Sequence, residues 1–300
     1  MNEELKKLQE ERTQLFKDVY DGVIPKRVPV EISVNWDTGV ELAGLNKRKA
    51  FWDLSTFPVF FDAVCSRITA DKSPINMSGH LAAPDKILES NLFVMAEDGT
   101  VQHPEHSTLK VEEYDDFIAD PYDFICEKLL PRWFDALKDA TPFQTAKVLI
   151  KYVLAKNELG AQAGAVQGQM IEKYGYAPLS YGGGTLAPFD CLADHLRSFS
   201  EIVKDTRRYP DKVLAACDAL TPLMVKKGIS PRSNRYFRTF IPLHMAPYLS
   251  PKQFDKFYAP SYTALLKGLS EGGAGVKMFV EGDWMPHIDY LADCTDRTEM

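Results

Sequence analysis

The stretch that decides the fold is Phe237-Arg-Thr-Phe-Ile-Pro-Leu-His244, with Val276-Lys-Met-Phe-Val-Glu281 downstream of it. Both are short apolar runs, which are typical of buried strands. Between them, Ser250-Pro-Lys-Gln253 has the pattern of a capping box and opens a helix whose apolar residues recur every three or four positions. A strand, a helix and a second strand in this order predict a βαβ unit with parallel strands.

The rest of the chain repeats this alternation, so that strands are followed by helices about five times in all. Three further strands are predicted, at 28–35, 74–78 and 178–181. In the first of them apolar and polar residues alternate, so we expect the apolar side chains to face helices and the polar ones a barrel lumen. Repeated βα units predict an α/β fold with a parallel sheet, either open or closed into a barrel.

Two local signals add detail between the strands. Thr141 is the predicted N-cap of a long helix over 142–174. Asp98-Gly99 predicts the turn of a β-hairpin. No linker-like or low-complexity tract divides the chain, so we predict a helical N-terminal extension over 1–26 and one domain over 27–300.

Charge and cysteine content narrow the classes of function. The chain has 300 residues and a formal net charge of -7, so it offers no basic field to nucleic acid or to an anionic membrane. Residues 1–20 have the pattern of a charged helix and not of a secretory signal. The 5 cysteines are scattered and form no CxxC pair, which favours reduced thiols and predicts a cytoplasmic location.

Candidate functional residues follow from position. In a βα barrel the loops after the strands form the open face, where chemistry takes place. Position alone therefore selects the residues at the predicted strand ends, which are Asn35, Trp36, 78–80, 181–185, His244 and 281–284.

Each of these residues has a functional and a structural interpretation. Glu281 is either a general acid or metal ligand, or a cap of the next helix. His244 is either a proton shuttle or metal ligand, or a structural residue in a proline-containing loop. Trp284 either stacks on a planar substrate or belongs to the core. Gly182-Gly-Gly184 is either an anion cradle or a flexible loop, and it lacks the spacing of a dinucleotide or P-loop motif.

Three stretches of the second half resemble the uroporphyrinogen decarboxylase superfamily. They are Pro242-Leu-His244 with the helix after it, Gly275-Val-Lys-Met-Phe-Val-Glu-Gly-Asp-Trp284, and Gly183-Gly-Thr-Leu-Ala-Pro-Phe-Asp190. The resemblance implies a (β/α)8 TIM barrel, with either decarboxylation of uroporphyrinogen III or methyl transfer that involves corrinoid proteins. It also implies three strands beyond this sequence, so we expect the barrel to be incomplete at its C-terminal end.

Departures from the family favour methyl transfer. The decarboxylases of the family share an Arg-Gln-x-Gly-Arg sequence whose arginines bind the carboxylates of the substrate. The corresponding stretch of this chain is Ser33-Val-Asn-Trp-Asp37. Desolvated carboxylates without cations are costly. The aspartate expected after the second strand is also missing, since Asn76-Met-Ser-Gly-His80 stands there. Zinc-dependent methyltransferases of the family have His-x-Cys where Phe279-Val-Glu281 stands here, so zinc would be bound through the Glu281 carboxylate.

The resemblance therefore implies a methyltransferase that moves a methyl group between a small substrate, such as methanol or a methyl ether, and a corrinoid carried by a partner protein. Glu281 would be the metal ligand or general acid, and His244 would assist proton transfer or ligation. The alternatives are a tetrapyrrole decarboxylase and a corrinoid- or tetrapyrrole-binding barrel without chemistry, and a homodimer is compatible with each. The substrate pocket would be shaped by Asn35, Trp36, Asn76, His80, Tyr181, Asp190 and Trp284.

Overall fold

The computed structural model describes residues 2–77 and 80–294, which form two compact units. The first unit comprises Met1–Pro104 and Pro131–Leu179, and the second comprises Glu105–Leu130 and Ser180–Met300. Each unit combines helices with a few short strands, and helix predominates. The predicted α/β class is confirmed at this level.

The α-helices, numbered along the chain, are α1 (Glu3–Tyr20), α2 (Trp36–Leu42), α3 (Lys47–Trp52), α4 (Phe57–Cys65), α5 (Tyr114–Ala119), α6 (Pro121–Phe124), α7 (Leu130–Trp133), α8 (Pro142–Tyr174), α9 (Pro188–Cys191), α10 (Phe199–Arg208), α11 (Pro210–Gly228), α12 (Pro251–Gln253), α13 (Ala259–Glu271) and α14 (Ile288–Cys294). Short 3-10 and π-helical turns join several of them. The long predicted helix is confirmed as α8, which begins at Pro142 and ends at Tyr174. Thr141 and Gln144 form a capping box at its start. Among the described residues, no helix is both long and apolar enough to cross a membrane.

The strands are β1 (Val34–Asn35), β2 (Ile75–Asn76), β3 (Val94–Met95), β4 (Val101–Gln102), β5 (Gly183–Gly184), β6 (Thr239–Leu243) and β7 (Val276–Val280). In the first unit β1 pairs with β2 in parallel, and β3 and β4 form the predicted antiparallel hairpin. In the second unit β5, β6 and β7 form a parallel sheet in that order. Pairing among the described strands extends to these small sheets and not to a closed barrel.

The core of the first unit is rich in aromatic residues. Phe57, Phe60 and Phe61 of α4 are buried together with Trp36, and apolar residues of α8 complete the cluster. The N-terminal helix α1 belongs to this unit. Arg12 of α1 donates to the carbonyl oxygens of Tyr174 and Gly175 at 2.7 and 3.0 Å, so a cation satisfies acceptors at the C-terminal end of α8.

The segment 28–33 does not form the strand that its alternating pattern predicts. Three of its apolar residues are exposed, which are Val28, Val30 and Ile32. The Val30 N–H donates to Oδ2 of Asp71 at 2.7 Å, and the Val30 carbonyl accepts from the Asp71 N–H at 2.8 Å. Asp71 also accepts two hydrogen bonds from Arg27, both 2.7 Å long. A single aspartate therefore takes the backbone groups that a neighbouring strand would use.

The third parallel strand begins later than predicted. We expected a strand over 178–181 followed by a glycine loop, but Gly183–Gly184 is itself β5 and pairs with Thr239–Phe240. A Cβ on Gly182 would overlap the carbonyl oxygen of Phe237 and would lie 2.9 Å from its carbonyl carbon. Glycine is required there because the two backbones approach too closely for any side chain.

We predict that Gly182→Ala lowers the free energy of unfolding of the second unit by about 3 kcal/mol, because the added methyl group forces β5 away from β6. Gly184→Ala is the matched control, since its Cβ would come no closer than 3.8 Å to the nearest atom, the Phe240 carbonyl oxygen. It should change stability by less than about 1 kcal/mol. Urea denaturation measures both variants, and equal effects would contradict the close approach at Gly182.

Candidate functional site

Strands β6 and β7 bring His244 and Glu281 together at their carboxyl ends. Leu243 pairs with Val280, so the next residue on each strand lies beside its counterpart. Nε2 of His244 is 3.3 Å from Oε1 of Glu281. The prediction that these two residues follow neighbouring parallel strands at one edge of the sheet is confirmed.

A second carboxylate, from Asp194, contacts the other ring nitrogen of His244. Nδ1 of His244 lies 2.7 Å from Oδ2 of Asp194. Asp194 is in the π-helical segment Leu192–Arg197, which continues α9 after β5. Our sequence reasoning missed this residue. Its signal was a spacing, because Asp194 follows Asp190 by four positions and such residues share a helix face.

Asp190 is a buried acceptor for groups from two other elements. Its Oδ1 accepts from the Met245 N–H at 2.9 Å. Its Oδ2 accepts from the Tyr258 hydroxyl at 2.8 Å and from the His244 N–H at 3.3 Å. Burial raises the pKa of Asp190 to about 7, while the Tyr258 hydroxyl and the Met245 N–H act to lower it. The structure therefore makes Asp190 a support for the His244 backbone and not the substrate contact that we predicted.

The carboxylates keep His244 protonated at neutral pH. The hydrogen bond to Asp194 is the largest cause that raises the pKa of His244 to about 9, with burial opposing it and the charges of Asp194, Asp190 and Glu281 adding to it. The His244 side chain is 34% exposed, so a small molecule can reach the ring. The arrangement can therefore donate a proton from an accessible imidazolium.

Trp284 supports the Glu281 loop from below the surface. It is only 4% exposed, and its Nε1 donates to the Glu281 carbonyl oxygen at 3.0 Å. Its ring packs edge-on against Phe254 and Tyr258, with centroids 6.1 and 6.2 Å apart. Of the two interpretations of Trp284, the structure favours the core residue over the platform for a planar substrate.

Tyr181 lies away from the His244 cluster, which consists of His244, Asp194 and Glu281. Gly183 pairs with Thr239, the first residue of β6, so Tyr181 precedes the strand and lies near the amino ends of the parallel strands. His244 follows the carboxyl end of the same sheet. The expectation that Tyr181 ends a strand beside the site is wrong, because the strand starts two residues after it. Its ring instead packs on Phe240, with centroids 4.9 Å apart.

The remaining predicted residues belong to the first unit, whereas His244 belongs to the second. Nδ2 of Asn76 donates to Oδ1 of Asn35 at 3.2 Å, across the parallel pair β1–β2. Trp36 and His80 are buried and pack edge-to-face, with ring centroids 4.8 Å apart. Burial lowers the pKa of His80, so it is a neutral core residue. Ser78 and Gly79, predicted at the same strand end, lie outside the described residues.

The donor set at Glu281 can be compared with what zinc requires. A catalytic zinc ion usually has three protein ligands, and a histidine ligand must be unprotonated. Within 2–77 and 80–294, no three His, Cys, Asp or Glu side chains are arranged to hold a metal ion. Both ring nitrogens of His244 are directed at carboxylates. Zinc binding through Glu281, which the family resemblance implies, therefore stays a prediction.

No family model matches this chain, and no curated protein matches it. The resemblance to the uroporphyrinogen decarboxylase superfamily therefore stays a prediction. The observation from which a function can be argued is the geometry around His244.

We predict that the ring protons of His244 titrate with a pKa of about 9 in the folded protein, as measured by NMR. Asp194→Asn should lower this pKa the most, and Glu281→Gln should lower it less, because the Asp194 hydrogen bond is the largest cause. A pKa near the ordinary value of 6.5 in the unsubstituted protein would contradict the arrangement.

The same shift predicts how stability depends on pH. The folded pKa of His244 is raised above its ordinary value, so the stabilisation is complete below pH 6.5 and is lost as the pH rises through about 9. His244→Asn should therefore cost stability at pH 6 and cost less at pH 10, as thermal denaturation at the two pH values would show.

We predict that Asp190→Asn lowers the free energy of unfolding by about 2 kcal/mol, because an amide cannot accept from all the donors that meet at this buried carboxylate. Tyr258→Phe removes one of those donors and should cost about 1 kcal/mol. Chemical denaturation measures both. An Asp190→Asn variant as stable as the parent would show that the carboxylate does not hold the turn after β6.

Proposed function

We propose that the chain is a methyltransferase in which the imidazolium of His244 donates a proton to the oxygen atom from which the methyl group is transferred. The donor is a small molecule with an oxygen-bound methyl group, such as methanol or a methyl ether. The acceptor is a reduced corrinoid carried by a partner protein, as the superfamily resemblance implies. One observation carries the proposal, which is an accessible His244 with a pKa of about 9 between Asp194 and Glu281.

The chemistry explains why a proton donor is needed. Alkoxide is a poor leaving group, and protonation of the oxygen in the transition state lowers the barrier by an amount typical of general acid catalysis. The carbon–oxygen bond breaks as the methyl group passes to the acceptor, and the leaving oxygen takes the proton from Nε2 of His244. The reduced corrinoid would be a co-substrate and would supply the electron pair for the new bond to the methyl carbon. The products are an alcohol or water, a methylated acceptor and a neutral imidazole.

The contacts of His244 suit this role. Nδ1 and Asp194 are 2.7 Å apart, a distance typical of a charge-assisted hydrogen bond, so the ring orientation is held from that side. The distance from Nε2 to Glu281 is longer, at 3.3 Å, so the Nε2 proton is held less tightly. The Glu281 side chain is 44% exposed, so it can pass a proton from solvent back to His244 after each turnover.

The charge around His244 favours a neutral substrate over a polycarboxylate. Asp190, Asp194 and Glu281 are the charged groups that act on its pKa. A substrate with many carboxylates would be repelled by them, whereas methanol or a methyl ether carries no charge. This electrostatic argument supports methyl transfer over tetrapyrrole decarboxylation.

For the fold, we propose the (β/α)8 barrel of the same superfamily. The support is local: β1–β2 and β5–β6–β7 are parallel, and helices follow β1, β5, β6 and β7. We also propose a cytoplasmic location, on the composition of the chain and the scattered cysteines.

The test uses reduced cobalamin as the methyl acceptor and follows its absorption spectrum as methylation proceeds. We predict that His244→Asn lowers the methylation rate about 100-fold or more with methanol or an alkyl methyl ether. With 4-nitroanisole the loss should be much smaller, because nitrophenolate leaves without a proton. His106→Asn, a change in the same unit outside the cluster, is the control and should leave both rates unchanged.

The pH profile provides a second readout of the same prediction. The rate with an alkyl methyl ether should fall as the pH rises through about 9, because His244 loses its proton there. Equal losses with both donors would contradict the general-acid role. Conversion of uroporphyrinogen III to coproporphyrinogen, without cobalamin methylation, would favour the decarboxylase, and blank results in both assays would favour a binding barrel.

A further inference from the structure

A cavity of about 620 Å³ lies in the first unit and is separate from the His244 cluster in sequence and in unit. Its walls come from α3, from the segment His80–Leu88 and from the hairpin β3–β4. The volume falls within the range of cavities that bind small molecules. The methyl transfer proposed above makes no use of it.

The hairpin is held against α3 at its turn. Gly99 has a φ of +88°, and a Cβ at this position would lie 3.1 Å from the Cβ of Lys47. Nη1 of Arg48 lies 3.4 Å from the Glu97 carbonyl oxygen, next to the turn. The close approach at Gly99 fixes the distance between the hairpin and α3, so these two walls of the cavity are preformed.

The charges that line the cavity are all positive. Arg48 from α3 and Lys86 from the segment His80–Leu88 contribute to the wall. None of the described residues that line it is an aspartate or glutamate. Two cations without a lining carboxylate favour a negatively charged group in the cavity.

The rest of the lining is mostly apolar, and part of it faces solvent. Phe51 is buried at 3% exposure, whereas Trp52 is 50% exposed and Phe93 is 37% exposed. Aliphatic side chains of β3 and β4 extend this surface. Covering exposed aromatic surface of this kind with a flat apolar group is energetically favourable.

We propose that this cavity binds an amphipathic organic anion, with a planar apolar body against Trp52 and Phe93 and a carboxylate near Arg48 and Lys86. The apolar body accounts for the exposed aromatic surface, and the carboxylate accounts for the two cations. Neither a neutral apolar ligand nor an inorganic anion uses both parts of the lining. The ligand class is therefore an aromatic or similarly flat carboxylic acid.

The test compares two probes of the same shape, naphthalene-2-carboxylate and naphthalene-2-carboxamide, by titration calorimetry at low salt. The carboxylate should bind about five-fold or more tightly than the amide, because it interacts with two exposed cations. This preference should shrink as salt is added. The carboxylate should also quench tryptophan fluorescence, and Trp52→Phe should remove the part of the quenching that arises from Trp52.

Matched variants separate this site from general adsorption. Lys86→Gln and Arg48→Gln should each weaken carboxylate binding about two- to five-fold and leave amide binding unchanged. Lys128→Gln changes an exposed lysine of the other unit and should have no effect. His244→Asn should also leave both probes unaffected, so the outcome does not depend on the proposed methyl transfer. Equal affinity for both probes, no binding of either at millimolar concentration, or indifference to both cation variants would overturn the proposal.

Discussion

The site in the second unit depends on one buried carboxylate. Asp190 lies on α9 and accepts hydrogen bonds from the turn after β6 and from the Tyr258 hydroxyl. The three donors come from two different parts of the chain, so a single side chain sets the positions of three elements. Without it, a buried N–H and a buried phenol would each lack an acceptor, at a cost of about 1–3 kcal/mol for each group. The His244 backbone is therefore placed by Asp190 before any charge acts on its ring.

The protonated imidazole follows from the carboxylates that surround it. Burial makes the Asp190 anion costly, which is why its pKa rises to about 7, and its charge still favours a proton on His244. Asp194 and Glu281 add two further acceptors, one at each ring nitrogen. The cluster is acidic overall, so the imidazolium offsets part of its negative charge. The Nε2 proton is held less tightly than the Nδ1 proton, because the contact between Nε2 and Glu281 is the longer of the two. It is therefore the proton that His244 donates to a reacting oxygen.

The sequence predicts the parts of the site that depend on local pattern. His244 and Glu281 are found because apolar runs define β6 and β7, and parallel strands bring their carboxyl ends to one edge. Asp194 is not found in this way, because its role depends on a helix that continues past Cys191 as a π-helical segment. Tyr181 is misplaced for a similar reason. The start of β5 is set by how closely Gly182 approaches the Phe237 backbone, which no pattern within residues 178–184 reveals.

Two histidines show what decides function at a strand end. His80 and His244 both follow short predicted strands, so their positions alone give no reason to assign them different roles. His80 is enclosed by Trp36 and other aromatic rings, and burial lowers its pKa. His244 is one-third exposed and has a carboxylate at each nitrogen, so its pKa moves in the opposite direction. The charge of the neighbours, and not the place in the strand–helix repeat, therefore separates a core histidine from a proton donor.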